Sequence, residues 1–186
     1  MNERAVFTAE IRVSDDGDGR TIAGVAMPWD EVSQGTPHRG GEVFRKGAFK
    51  RSLEHHNRPG GRLPRLMYAH NAQVSPVGLP VRVEETDAGL EVEYRMVNTP
   101  TADAALLEVR EGVLDALSVG FTAVQAPHVR GVREVREARL NEVSLVAMPA
   151  YENARVLAWR QLAAVMDLPE RPPISLEPIV LGGRAW

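Results

Sequence analysis

Short stretches rich in β-forming residues, separated by turn-forming residues, recur along most of the chain. Residues 5–13 and 20–27 flank a turn-like segment of aspartates and glycines, so they predict an opening hairpin. Residues 77–84 and 90–96 flank a second turn, and apolar and polar residues alternate along the latter run. These patterns predict a β-rich domain.

The remaining apolar runs add strands and two helices. Three of these runs predict strands over residues 65–70, 115–124 and 139–148. Residues 46–56 suit a short helix, because Phe49 and Leu53 would share one face, and residues 99–112 suit a second helix. The charged segment 127–137 is interpreted as a protruding hairpin or a flexible loop. Strands dominate, which predicts a mainly β fold with peripheral helices (α+β), built as a β-barrel or a strongly bent sheet.

Length and composition fit one globular domain followed by a tail. Of the 186 residues, 44% are hydrophobic and 25% are charged, as in ordinary folded proteins. The last 20 residues hold four of the 13 prolines. We therefore expect residues 1–165 to form the domain, and residues 166–186 to form an extended tail that is flexible or proteolytically processed.

Charge and residue types narrow the range of partners. The net charge of −3 gives no reason to expect nucleic acid, and the basic residues at Arg58 to Arg65 are interpreted as a solvated loop. The absence of cysteine excludes disulfides and thiol chemistry. No apolar run approaches a membrane span, and no His/Cys/Asp spacing resembles a zinc site. We expect a soluble, cytoplasmic protein with no cofactor, no metal, no nucleic acid and no membrane contact.

Three apolar runs each carry one polar residue of a kind that acyl transfer needs. These residues are His70, Ser118 and Glu142. They are too far apart along the chain for local structure to join them, so only a folded sheet could do so. In such a group the imidazole takes the hydroxyl proton, while the acid fixes the imidazole tautomer and stabilises the imidazolium. The sequence therefore favours a serine hydrolase.

Each of the three residues also has an ordinary structural explanation. Ser118 would be tolerated in any half-buried strand, and His70 would be a hydrogen-bonded surface histidine. Glu142 would pair with an arginine, for example Arg139 or Arg95. Burying an unpaired carboxylate is costly, so a partner for Glu142 is expected in either case.

The order of several segments resembles the prohead maturation proteases of tailed bacteriophages, a serine protease family related in fold to herpesvirus assemblin. Over roughly residues 5–160 the resemblance is carried by AGVAMPWDE, EVFRKGAFKRSL, LMYAHN, PVGLPVRVEETDAGLEVEYRM, LDALSVGF and EVSLVAMPAYENARV. It implies a closed or strongly bent β-barrel of the herpesvirus-protease type. It also implies that His70 is the general base, Ser118 the nucleophile and Glu142 the third catalytic residue.

The sequence departs from the patterns of these relatives in two places. Asn71 follows the histidine where the phage family usually has an acidic residue. Ala150 and Tyr151 stand where the herpesvirus enzymes have paired arginines that help to form the oxyanion hole. Backbone N–H groups near residues 148–151 are therefore expected to bind the oxyanion.

The resemblance implies a serine endopeptidase that cleaves the scaffold protein, or the scaffold-like segment of the major capsid protein, inside the assembling prohead in the host cytoplasm. It further implies a homodimer, and autocleavage of the tail is a related expectation. A non-enzymatic assembly factor built on the same barrel is the alternative. An esterase or amidase for small molecules is less favoured, because a Gly-x-Ser-x-Gly elbow is absent.

Overall fold

The computed structural model of the chain describes residues 3–7, 11–14, 18–33 and 41–147. The strands in this part are β1 (Glu3–Phe7), β2 (Arg12–Ser14), β3 (Thr21–Pro28), β4 (Glu42–Phe44), β5 (Leu66–Tyr68), β6 (Gly78–Glu85), β7 (Gly89–Met96), β8 (Ala116–Gln125), β9 (His128–Val129), β10 (Val132–Val135) and β11 (Glu137–Val146). The helices are α1 (Lys50–His56) and α2 (Pro100–Arg110). The boundary predicted at residue 165, the tail 166–186 and the oxyanion segment 148–151 lie outside the described residues.

One curled sheet dominates the fold. Its eight strands follow the order β1-β8-β11-β5-β6-β7-β3-β2, and neighbouring strands are antiparallel except for the parallel pair of β5 and β11. Strand β3 contacts β8, which is not its neighbour in the sheet, so the sheet bends on itself. The prediction of a mainly β fold with few helices is confirmed. Among the described strands the edges β1 and β2 do not pair, so these strands form a curled half-barrel and do not show a closed barrel.

Helix α1 and a second, three-stranded sheet of β4, β10 and β9 pack against the main sheet. Three fully buried phenylalanines join the layers: Phe44 of β4 lies 5.6 Å from Phe49 and 5.0 Å from Phe121 of β8 between ring centroids. Such offset and edge-on ring pairs add to the free energy gained from burial. The strand that carries Ser118 is therefore held from one side by an aromatic cluster.

Several local predictions are confirmed. Strands β6 and β7 form the expected hairpin, and β8 and β11 match the predicted apolar runs. Helix α2 begins after Thr99, whose side chain accepts a hydrogen bond from Ala102 N at 3.3 Å, and it ends just before Gly112 at φ +71°. Short-range capping rules are sufficient to set both ends of this helix.

The prediction of one strand over residues 5–13 is wrong. Strands β2 and β3 do form an antiparallel hairpin, but β1 is a separate strand that pairs with β8 on the other side of the sheet. Strand β1 is separate from β2 because it pairs with β8, more than a hundred residues away in the sequence. The local residue pattern does not indicate this partner.

The charged segment 127–137 forms the predicted hairpin, but that hairpin does not protrude. Strand β10 pairs in parallel with β4, and the buried guanidinium of Arg133 donates to Glu42 at 2.5 Å. The two side chains are 10% and 1% exposed. A charge can be buried here because its partner is buried beside it, a pairing that the sequence alone does not indicate.

Removing one member of this buried pair should destabilise the fold strongly. We expect Arg133→Met to lower the free energy of unfolding by about 3–5 kcal/mol, because the Glu42 carboxylate would stay buried without its guanidinium. The control is Arg82→Met, since Arg82 is 46% exposed and bonds surface glutamates, so its loss should cost about 0–1 kcal/mol. Urea unfolding of both variants measures the difference. Equal losses would contradict this account of the ion pair.

Candidate active site

His70 lies in a turn directly after β5. Ala69 N donates to Leu145 O of β11 at 2.9 Å, and Asn71 N donates to Tyr68 O at 2.9 Å. Ala69 and His70 both adopt left-handed backbone conformations, with φ of +50° and +55°. A non-glycine residue in this conformation costs on the order of 1–3 kcal/mol of folding free energy, and such residues cluster at functional sites. The sequence predicted a strand ending at His70, whereas the strand ends two residues earlier.

The residue before this turn is anchored to helix α2. The Tyr68 hydroxyl donates to Glu108 Oε2 at 3.0 Å. This hydrogen bond, together with burial, raises the pKa of Tyr68 above its usual value. Tyr68 therefore remains a protonated donor at neutral pH, and the bond helps to hold the His70 turn in place.

The His70 imidazole contacts the Glu142 carboxylate on β11. His70 Nδ1 lies 2.6 Å from Glu142 Oε1, and the two side chains are only 9% and 16% exposed. A carboxylate can only accept, so Nδ1 donates the proton of this bond and Nε2 is the ring nitrogen that remains for a base. The explanation of His70 as a surface histidine is wrong. Glu142 pairs with this histidine, whereas Arg95, one of its alternative partners, bonds Asp18 at 2.6 Å.

A β-bulge places Glu142 on the side of the sheet where it meets His70. Leu140 pairs with Phe121 and Glu142 pairs with Gly120, so Asn141 is an extra residue in β11. By plain alternation Leu140 and Glu142 would share a face, but the extra residue moves Glu142 to the other one. Sequence reasoning did not find this bulge.

Helix α1 supports the bulge from outside the sheet. Leu140 N donates to Ser52 Oγ at 3.0 Å, and His56 Nε2 donates to Leu140 O at 3.1 Å. These bonds satisfy the backbone groups of Leu140, next to the position where the ladder between β11 and β8 is interrupted. The orientation of Glu142 is thus set partly by a helix far from it in sequence.

Ser118 lies on β8 directly opposite Ser144 of β11, two residue pairs along from Gly120 and Glu142. Residues opposite each other in an antiparallel pair point to the same side, and so do residues two apart along one strand. Ser118 therefore shares a face with Glu142, the residue that holds His70. The side chain of Ser118 is fully buried. The structure brings the three predicted residues to one region of the sheet.

Gly120 leaves the space that the Glu142 carboxylate occupies. A Cβ atom built at Gly120 would lie 2.4 Å from Glu142 Cγ and 2.7 Å from Oε1. The side chain that fills this space is that of Glu142. A glycine two residues after the serine in an otherwise bulky strand was the available signal.

A methyl group at position 120 should therefore displace the carboxylate from His70. We expect Gly120→Ala to slow any reaction that depends on the contact between Glu142 and His70 by about 10²-fold, since small misplacements of reacting groups have effects of this size. It should also lower the free energy of unfolding. In the double variant with Glu142→Ala the clash is gone, so Gly120→Ala should then cost no further stability. If the losses of unfolding free energy of the two single variants add up in the double variant, as measured by urea unfolding, there is no clash between position 120 and Glu142.

Two negative findings concern the part of the chain that the structure describes. No group of three or more histidine, cysteine or acidic side chains there is arranged to hold a metal ion. No helix within that part is long and apolar enough to cross a membrane.

The fold is similar to that of a solved phage enzyme. The capsid assembly protease gp21 of bacteriophage T4 superposes with a TM-score of 0.56, at 15% sequence identity, covering 80% of this chain and 97% of the phage chain. This similarity supports the half-barrel architecture. No curated protein matches the sequence significantly.

The sequence itself matches the profile of the caudovirus prohead serine proteases over residues 7–167. The match spans most of the chain and includes every strand from β2 to β11 together with His70, Ser118 and Glu142. It confirms the resemblance found in the order of the sequence segments. The chain therefore belongs to the caudovirus prohead serine protease family, a family of peptidases.

Proposed function

We propose that the chain is a serine endopeptidase of capsid maturation in which Ser118 is the nucleophile, His70 the general base and Glu142 the residue that orients His70. The observation that carries this proposal is the 2.6 Å hydrogen bond between His70 Nδ1 and Glu142 Oε1, on the strand next to Ser118. A nucleophile, a base and an orienting acid are the three parts that acyl transfer needs.

The proposed reaction has two halves. His70 Nε2 takes the proton of Ser118 as Oγ bonds to the scissile carbonyl carbon, and the carbonyl π electrons move onto oxygen. Collapse of this intermediate breaks the C–N bond while His70 returns the proton to the leaving amine. In the second half His70 Nε2 takes a proton from water as the water oxygen bonds to the acyl carbon. The bond between this carbon and Ser118 Oγ then breaks, His70 returns the proton to Oγ, and the acid product leaves. Glu142 keeps the Nδ1 proton in place and stabilises the imidazolium in both halves.

Burial of the site implies that substrate entry needs a rearrangement. Ser118 is fully buried and the His70 side chain is 9% exposed. A peptide carbonyl has to approach Oγ closely to react, so side chains around this face must move when the substrate binds. In this proposal the described conformation is a resting state.

The relatives support a proposal for the substrate class. The family acts in proheads, and the similar phage T4 structure is a capsid assembly protease. We propose that the substrate is the scaffold protein or the scaffold-like segment of the major capsid protein. Cleavage would occur inside the assembling prohead, in the cytoplasm of the bacterial host. A homodimer and autocleavage of residues 166–186 belong to the same proposal. If intact-mass analysis shows an uncleaved tail at every stage of assembly, the proposal of autocleavage is wrong.

One observation also suits the alternative of a non-enzymatic assembly factor. Complete burial of Ser118 is what a serine with a packing role would show. Under that alternative the chain would assist assembly whether or not Ser118 has a hydroxyl group.

Reaction with a fluorophosphonate tests the proposed nucleophile without knowledge of the substrate. The probe should add once to the wild-type protein, and peptide mapping should place the adduct on Ser118. His70→Ala should abolish labelling, whereas His55→Ala, which removes an exposed histidine of α1, should not. Absence of labelling in the wild type, or equal labelling of the His70→Ala variant, would reject the proposed mechanism.

A further inference from the structure

Ser144 carries a buried hydroxyl that the proposed mechanism does not use. The residue is fully buried, and its Oγ has no hydrogen-bond partner among the residues that the structure describes. A buried hydroxyl without a partner is unfavourable for folding. Alanine would fill a very similar space without that cost, so the hydroxyl calls for an explanation.

The location of Ser144 suggests that explanation. It pairs directly with Ser118 across β8 and β11, and on its other side it pairs with Met67 of β5. Its backbone is thus fixed between two neighbouring strands in the middle of the sheet. Its side chain points to the same side as those of Ser118 and Glu142, because opposite residues and residues two apart share a face.

We propose that Ser144 is a further catalytic residue whose hydroxyl donates a hydrogen bond to the carbonyl oxygen of the substrate as that oxygen becomes negative. This proposal rests on the proposed function. A donor that lacks a bond in the resting enzyme and gains one when the oxyanion forms stabilises the transition state selectively. Because the donor is already buried and fixed, it requires little reorganisation during the reaction.

The proposal assigns Ser144 a role other than that of the nucleophile. A serine nucleophile is activated by a base within hydrogen-bond reach. Within the described part of the chain no base bonds Ser144 Oγ, and the Nδ1 atom of His70 is engaged by Glu142. In this proposal Ser118 attacks the carbonyl carbon and Ser144 stabilises the charge on the carbonyl oxygen.

The structure offers a closely matched control residue. Ser33 is also fully buried, and its Oγ likewise has no partner among the described residues. Its backbone pairs with that of Glu42, next to the small sheet and outside the candidate site. Ser33→Ala therefore removes the same chemical group in a similar environment without touching the catalytic residues.

The test compares the rate of fluorophosphonate addition to Ser118 in the wild type, Ser144→Ala and Ser33→Ala, with the melting temperature of each protein. Negative charge also develops on the phosphoryl oxygen of this probe, so the donor should matter. We expect Ser144→Ala to react about 100-fold more slowly, as is typical for loss of one oxyanion donor. Ser33→Ala should react like the wild type. Neither variant should melt at a lower temperature.

The outcomes separate this inference from the proposed function. An unchanged labelling rate in Ser144→Ala, with Ser118 still labelled, would overturn the role of Ser144 alone. A slower rate accompanied by a lower melting temperature would assign Ser144 a structural role and also overturn it. Labelling of Ser144 itself, or no labelling of Ser118 in the wild type, would overturn the proposed function as well.

Discussion

Replacing Ser118 with alanine should lower the rate of peptide cleavage by about 10⁶-fold, the effect known for loss of the nucleophile in a serine protease. The remaining protein should fold normally, because only a buried hydroxyl is lost from β8. His70→Ala should have a comparable effect. The double variant should be no slower than either single one, since nucleophile and base act as a unit. Cleavage of the cognate capsid protein by purified enzyme measures all three rates.

Losses that multiply in the double variant would show that Ser118 and His70 act independently and would contradict a shared proton transfer. The circular dichroism spectrum and melting temperature of each variant serve as controls for folding. If a variant with a lower cleavage rate also has a lower melting temperature, its rate is compared with that of the wild type at a temperature where both proteins are folded.

Glu142→Gln should lower the rate of cleavage by about 10⁴-fold while leaving the fold intact. The amide has nearly the shape of the carboxylate, so Gly120 still accommodates it. It carries no charge to stabilise the imidazolium, and its NH₂ group can hold His70 in the wrong tautomer. The measurement is kcat on the capsid protein, with the melting temperature recorded in parallel.

The matched control for Glu142→Gln is Glu137→Gln on the same strand. Glu137 bonds the exposed Arg51 at 3.2 Å and lies outside the candidate site, so its neutralisation should leave kcat unchanged. Equal rates in the wild type and Glu142→Gln would show that the hydrogen bond between Glu142 and His70 has no catalytic part.

The sequence was sufficient to identify His70, Ser118 and Glu142 as candidate site residues, because each lies on or just after its own apolar run. The contact between His70 and Glu142 was predicted from the chemistry of the residue types and from the resemblance. Their catalytic roles stay a prediction until the variants above are measured.

The features that the sequence did not predict all depend on contacts between segments that are distant in the chain. The bulge at Asn141 is visible only once β11 is aligned with β8, and β1 is recognisable as a separate strand only from its pairing with β8. The steric need for Gly120 appears only when Glu142 lies across from it. Local patterns specify faces and ends of elements, whereas register and strand order emerge from tertiary packing.

Co-expression of the cognate capsid protein with either the wild-type chain or Ser118→Ala, followed by intact-mass analysis, tests the central claim most directly. The account predicts that the capsid protein or its scaffold is trimmed with the wild type and remains full-length with Ser118→Ala. Identical trimming by both forms would contradict Ser118 as the nucleophile. Normal particles without any trimming in either case would contradict the protease and favour the assembly factor.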